Sequence, residues 1–255
     1  MDALAFFLPE GIGALSGAFL VVASFFTSAL TATFGVGGGI AMLALLGFFV
    51  PVSALIPVHG AVQLGSNTGR AWRQRMHIVQ GFAAPFIAGS LVGAVAGVYF
   101  VVQLPDSVLK LALGLFVIAV TWGKIPGLAR LSHAGLAVGS AVMALLGMLL
   151  GATGPLLSAF FAQLIPDDRK ALIATHAAGM TVQHALKVIG FALAGFAFAE
   201  WLPFILLMVG SGYLGTIYGT GLLEKLPEER FRRWFRIGLT LLALNLVRQG
   251  LAGLL

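Results

Sequence analysis

Cysteine is absent from the sequence, which excludes disulfides, thiolate metal sites and thiol chemistry. Charge is almost as scarce. Asp, Glu, Lys and Arg make up 9 % of the 255 residues, against about 25 % in an average soluble domain, too little to cover a water-facing surface. No charged residue occurs in residues 11–69, 76–105, 131–166, 201–223 or 237–247. A membrane helix needs about 20 mostly apolar residues, so the longest of these runs holds more than one crossing. The start, MDALAFFLPEG, lacks the basic segment of a cleavable signal peptide, so the first apolar run is expected to be retained. Carboxylates are few. Asp106, Glu200 and the Asp167, Asp168 pair fall at expected helix ends, and none falls at mid-membrane depth, which argues against a carboxylate-based proton pump.

What is present points to an all-α polytopic membrane protein. Hydrophobic residues reach 59 %, too many for disorder, and the 34 glycines suit close helix packing in lipid. The net charge is +6, but its basic residues sit at the ends of apolar runs and report topology rather than nucleic-acid binding. Apolar runs and breakers predict helices over 12–33, 52–72, 78–102 and 107–123, with a Gly-rich break at 34–39 and a short piece at 40–50 ending at Pro51. The pattern then restarts: a helix over 134–150, a break at 151–155, a short piece at 156–165, and helices over 168–195, 201–222 and 233–253. Trp72, Trp122, Trp201 and Trp234 fall near helix ends, as an interfacial belt requires. The mixed-sign run from Glu224 to Arg236 reads as a solvated turn.

The restart is a repeat at residue level. Gly35 and Gly38 precede Gly151 and Gly154 by 116 positions, while His59, Asn67 and Arg70 precede His176, His184 and Lys187 by 117. This divides the chain into a first membrane repeat, 1–127, and a second, 128–255. The basic segments 70–77, 124–130 and 224–236 are expected on the cytoplasmic face of the plasma (inner) membrane, by the positive-inside rule. Equivalent helices then run in opposite directions, giving two inverted-topology repeats of about four transmembrane helices each. The short piece 40–50 has eleven residues, a rise of about 16 Å or about half the hydrocarbon core. Each piece is therefore expected to be re-entrant, with its glycine break at mid-membrane depth.

Two breaks with free backbone groups need a water-filled cavity or protein partners, and helix N-termini and turns offer N–H groups to anions. That makes Gly37, Gly38, Gly39, Thr153 and Gly154 candidate anion contacts, against the blander reading that these glycines only allow tight packing. GVGGG is not a nucleotide-binding loop, since no strand precedes it and no Lys-Ser/Thr follows. The second candidate set is a polar stripe. His59, Gln63, Ser66, Asn67 and Arg70 share one face of an otherwise apolar helix, and His176, Met180, Gln183, His184 and Lys187 repeat the spacing. Thr181 lies beside them at similar depth. Polar groups in a membrane helix face the protein interior or a wet cavity, so the stripes are expected to face each other across one pathway. The competing reading is polar glue between helices. Arg70 and Lys187 admit either anion attraction or snorkelling to the interface.

No metal or other cofactor is expected. His176 and His184 lie two turns apart, about 12 Å along the axis, too far to share one ion, and no carboxylate lies on either stripe. A histidine of this set could relay a proton, so protons or another ion are candidate coupling partners. A small anion and the lipid bilayer are the expected partners, a homo-oligomer is compatible with the pattern, and nucleic acid is not expected. An intramembrane enzyme would need a nucleophile–base pair or metal cluster at depth, which the sequence does not offer.

The elements FGVGGG, HGAVQLGSNTGRAWR, GATGPLLSAFFAQLIP and ATHAAGMTVQHALK occur in this order, and over nearly its whole length the chain resembles the TauE/SafE family of membrane permeases. GATGP stands where that family usually has a second glycine-rich break. The resemblance implies transport of sulfur-containing anions such as sulfite, sulfoacetate or other organosulfonates. The expected function is therefore a gradient-coupled secondary transporter for such an anion, with its site near the bilayer midplane between the repeats. A passive anion or solute channel using the same stripes is the alternative.

Overall fold

The computed structural model describes residues 7–34, 37–101, 105–122, 133–165, 168–223 and 228–254, and among these the chain is helical throughout. The helices are α1 (Ala14–Phe34), α2 (Gly38–Phe49), α3 (Val52–Arg73), α4 (Ala83–Val101), α5 (Asp106–Trp122), α6 (His133–Leu150), α7 (Gly154–Leu164), α8 (Arg169–Leu193), α9 (Phe198–Leu223) and α10 (Glu228–Ala252). Three stretches are long and apolar enough to cross a membrane by themselves: Ala14–Thr33, Gln80–Phe100 and Phe198–Tyr218. α3 and α8 are long enough but carry the polar stripes. The molecule is an all-α polytopic membrane protein.

Local chemistry sets the helix ends. α2 begins after Gly37, whose φ of 107° only glycine adopts without strain. α7 begins with Pro155 in its first turn, where the missing N–H costs nothing. Asp168 caps α8, its carboxylate accepting from the Ala171 N–H at 2.9 Å. Four expectations need correction. α4 starts at Ala83, not 78, because the chain first makes two short turns, Arg75–His77 and Gln80–Phe82. The run expected as a turn after Glu224 is helical from Glu228 onward, and Arg70 to Arg73 of the basic segment 70–77 belong to α3. The Glu- and Arg-rich stretch there has good helix propensity. Trp201 is buried against Phe196, with ring centroids 6.3 Å apart, and does not join an interfacial belt. Segments 124–130 and 224–227 lie outside the described residues, and the side chain of Trp234 is not among those described.

Helix pairs are joined by glycine and small polar residues, as packing in lipid requires. α1 lies parallel to α9: Ser24 donates to the Met208 carbonyl at 2.7 Å and Ser211 to the Val21 carbonyl at 2.6 Å. α4 lies parallel to α6, with Gly89 on the Ala137 backbone and Gly93 on that of Ala141. α5 and α10 run antiparallel, Gly114 meeting Val247 and Gly250 meeting Leu111, and Trp122 donates to Thr240 at 2.8 Å. α3 and α8 are also antiparallel. At one end the Val79 N–H donates to Thr175 at 3.0 Å, and at the other Ile56 and Phe191 share an apolar cluster with Met148. α2 is the most enclosed helix, with Met42, Leu43 and Leu46 fully buried. Phe160 and Phe161 of α7 anchor a second core with Phe86 and Met180.

Candidate functional site

Both stripes are buried inside the bundle, and His59 and His184 meet between α3 and α8. His59, Gln63, Ser66, Asn67 and Arg70 of α3 are all buried, as are His176, Met180, Gln183, His184 and Lys187 of α8. Arg70 is 3 % exposed and Lys187 2 %, so neither snorkels to a membrane surface.

Each break is tied to a stripe by the same bond. His59 Nε2 lies 2.9 Å from the Gly39 carbonyl oxygen, and His176 Nε2 lies 2.9 Å from that of Gly154. Since a carbonyl only accepts, both Nε2 atoms carry the hydrogen. Gly38 sits against the Thr27 carbonyl and the Thr31 hydroxyl, leaving no room for a Cβ. Gly39 approaches the Gln63 amide closely enough that an added Cβ would stand 3.1 Å from it. In the second half Lys187 Nζ donates to the carbonyl of Gly151, whose φ is 83°.

A cavity of about 30 Å³ opens between these elements. From the first half it is lined by Gly37, Gly39, His59, Gln63, Asn67 and Arg70, and from the second by Gly154, His176 and His184. The sequence-predicted residues Gly38, Ser66, Thr153, Thr181, Gln183 and Lys187 stand off the cavity. Ser66 accepts from Arg70 Nη2 at 3.1 Å. Gln183 donates to Ser90 and to the Ser140 carbonyl, and accepts from Thr153 at 3.5 Å. Thr181 donates within its own helix, to the Ala177 carbonyl at 2.8 Å. Asn67 likewise donates to the Gln63 carbonyl at 2.8 Å.

The electrostatics of the cavity are one-sided. Arg70 lines it with a permanently charged guanidinium, and no carboxylate is among its lining residues. Arg70 Nε is buried without a hydrogen-bond partner, as are Nδ1 of His59 and Nδ1 of His184. A buried charge without a counter-charge is costly, so this arrangement suits an anion. The N-terminal residues of α2 and α7 also border the cavity, adding the positive ends of two helices. Among the described residues no cluster of three His, Asp or Glu side chains could hold a metal ion.

A family description, sulfite exporter TauE/SafE, matches residues 11–246, nearly the whole chain. The chain belongs to the TauE/SafE family. No curated protein and no solved structure matches it. Membership makes this a membrane transporter of sulfur anions, in keeping with a cationic, carboxylate-free cavity. Several lining residues of this TauE/SafE protein escaped the sequence reading of the site: Thr31, Ile40, Ala152 and Pro155. Thr31 had a signal, since Thr27, Ser28 and Thr31 share one face of α1. Ile40, Ala152 and Pro155 had none, being apolar residues whose place on the wall follows from the breaks.

Proposed function

We propose that the chain is a gradient-coupled secondary transporter moving a small sulfur-containing oxyanion, sulfite, sulfoacetate or another organosulfonate, across the plasma membrane. The anion binds in the α3–α8 cavity near the bilayer midplane. In this reading residues 1–127 and 128–255 are two inverted repeats that meet at the cavity. The matched His59–Gly39 and His176–Gly154 bonds support that division, as do the opposed directions of α3 and α8.

The observation that carries the reading is the buried Arg70 guanidinium, with an unpartnered Nε, on a cavity that offers it no carboxylate. Arg70 supplies the charge. Gln63, Asn67 and the N–H groups near Gly37, Gly39 and Gly154 supply neutral donors, which hold an anion without trapping it in a closed ion pair, and the rings of His59, His176 and His184 complete the wall. Gly38, Ser66, Thr153, Thr181 and Gln183 shape the wall through the contacts described above, and Lys187 adds positive potential from behind Gly151. At about 30 Å³ the cavity has room for roughly two or three waters, which favours a compact ion such as sulfite as first substrate.

The test is uptake of radiolabelled sulfite and sulfoacetate into proteoliposomes, with and without an imposed ion gradient. Flux that saturates and responds to the gradient is expected. Flux that does neither would make the protein a channel, and no flux of either anion would remove the substrate class.

A further inference from the structure

One group in the cavity is poised for chemistry that anion binding does not use. With Nε2–H held by the Gly39 carbonyl, Nδ1 of a neutral His59 is a bare lone pair, buried without a partner. The His184 ring packs edge-on against it, centroids 5.8 Å apart, with its own Nδ1 also buried and unpartnered. The groups facing His59 come from every packed element. α8 brings His184 and Lys187, α2 brings the Gly39 carbonyl, and the break after α6 brings the Gly151 carbonyl. Farther along the cavity stand Arg70 and His176.

The two halves part company here. His59 and His176 are equivalent and make the same backbone bond. The equivalent of His184, however, is Asn67, which does not titrate. A second imidazole is thus supplied beside His59 by a departure from the repeat.

We propose that the His59–His184 pair carries the coupling proton, with His59 Nδ1 as acceptor, so that one proton crosses with each monovalent anion. This deepens the transport reading above and rests on it. A proton from water in the cavity adds to the Nδ1 lone pair, giving an imidazolium whose Nε2–H stays on the Gly39 carbonyl, and the proton returns to water when the anion leaves. The bound anion adds one negative charge and the proton one positive charge. The loaded cavity therefore carries the same net charge as the empty one, with the anion lying between two cations, the Arg70 guanidinium and the imidazolium, whose mutual repulsion it offsets.

The experiment uses the full chain in proteoliposomes containing a trapped pH dye. Labelled methanesulfonate is the probe, because it stays a monoanion near neutral pH, with sulfite as a second probe. The wild type should move about one proton per methanesulfonate, as a titrating imidazole allows. In His184→Asn, which gives the second half the residue the first half already has, the anion that still moves should carry no proton, so that the proton-to-anion ratio falls toward zero. His59→Gln should do the same, and His176→Asn should leave the ratio intact. Proton uptake on adding methanesulfonate to each detergent-purified variant checks the result without reconstitution. Anion flux without proton movement in the wild type overturns the inference and leaves the transport reading standing, as does an unchanged ratio in His184→Asn. If neither anion moves in the wild type, the transport reading fails and takes the inference with it.

Discussion

Arg70 shows how one position combines burial, charge and open valence. Its stem lies inside the bundle, Nη2 is used on Ser66, and Nε is left without a partner. Hydrogen bonds to charged groups contribute about 1.5–3 kcal/mol, so Arg70→Gln should weaken anion binding roughly 10- to 150-fold. Calorimetric titration of the detergent-purified variant with sulfite would measure this. Arg70→Lys should recover little of the loss, since a point charge on a flexible stem does not reproduce the guanidinium fork. Equal affinity in all three proteins would exclude Arg70 from the site. Lys187 occupies the equivalent position in the second half but spends a donor on the Gly151 carbonyl, so the two cations are matched in sequence and unlike in availability.

Among the helices, glycine contacts set how closely the outer pairs approach. Gly93 faces the Ala141 backbone so tightly that no Cβ fits, while Gly210 has nothing within 4 Å. Overpacking of this kind costs about 1–3 kcal/mol. Gly93→Val should therefore lower the thermal midpoint in detergent by about 2–10 °C, and Gly210→Ala should leave it unchanged. Equal midpoints would mean that α4 and α6 slide apart without cost. The α3–α8 pair is built differently. Its interface is polar, contains a cavity and is pinned at one end by the Val79–Thr175 bond.

Over the whole molecule, the contacts place the C-terminal ends of α3 and α5 on the same side as the N-terminal ends of α8 and α10. Arg73 and Arg75 lie on that side, and the positive-inside rule predicts that it faces the cytoplasm. Ala194, just past α8, lies on the other. With no native cysteine in the background, single replacements report sidedness cleanly. An impermeant maleimide should label Ala194→Cys on intact cells and Arg75→Cys only after lysis. The reverse pattern would turn the topology over.

The amino-acid order alone determined the membrane class, the helix positions to within a few residues and the break-and-piece pattern. These follow from apolar runs, prolines and glycines, which act locally. The stripe spacing likewise marked His59 to Arg70 and His176 to Lys187 as inward-facing, because helical period is a local property. It did not show which of them border open space. Gln183 and Ser66 share their faces with His184 and Asn67, yet partners from other helices turn them to the wall, and residues as plain as Ile40 and Ala152 complete the cavity. Nor did the charged run after Glu224 or the chain ahead of Ala83 yield to the same rules, since hydropathy is silent about structure outside the apolar runs. The tertiary structure alone decided that His59 meets His184, that Arg70 Nε is left without a partner and that Lys187 Nζ bonds the Gly151 carbonyl, because those outcomes depend on how antiparallel helices align across more than a hundred residues of intervening chain.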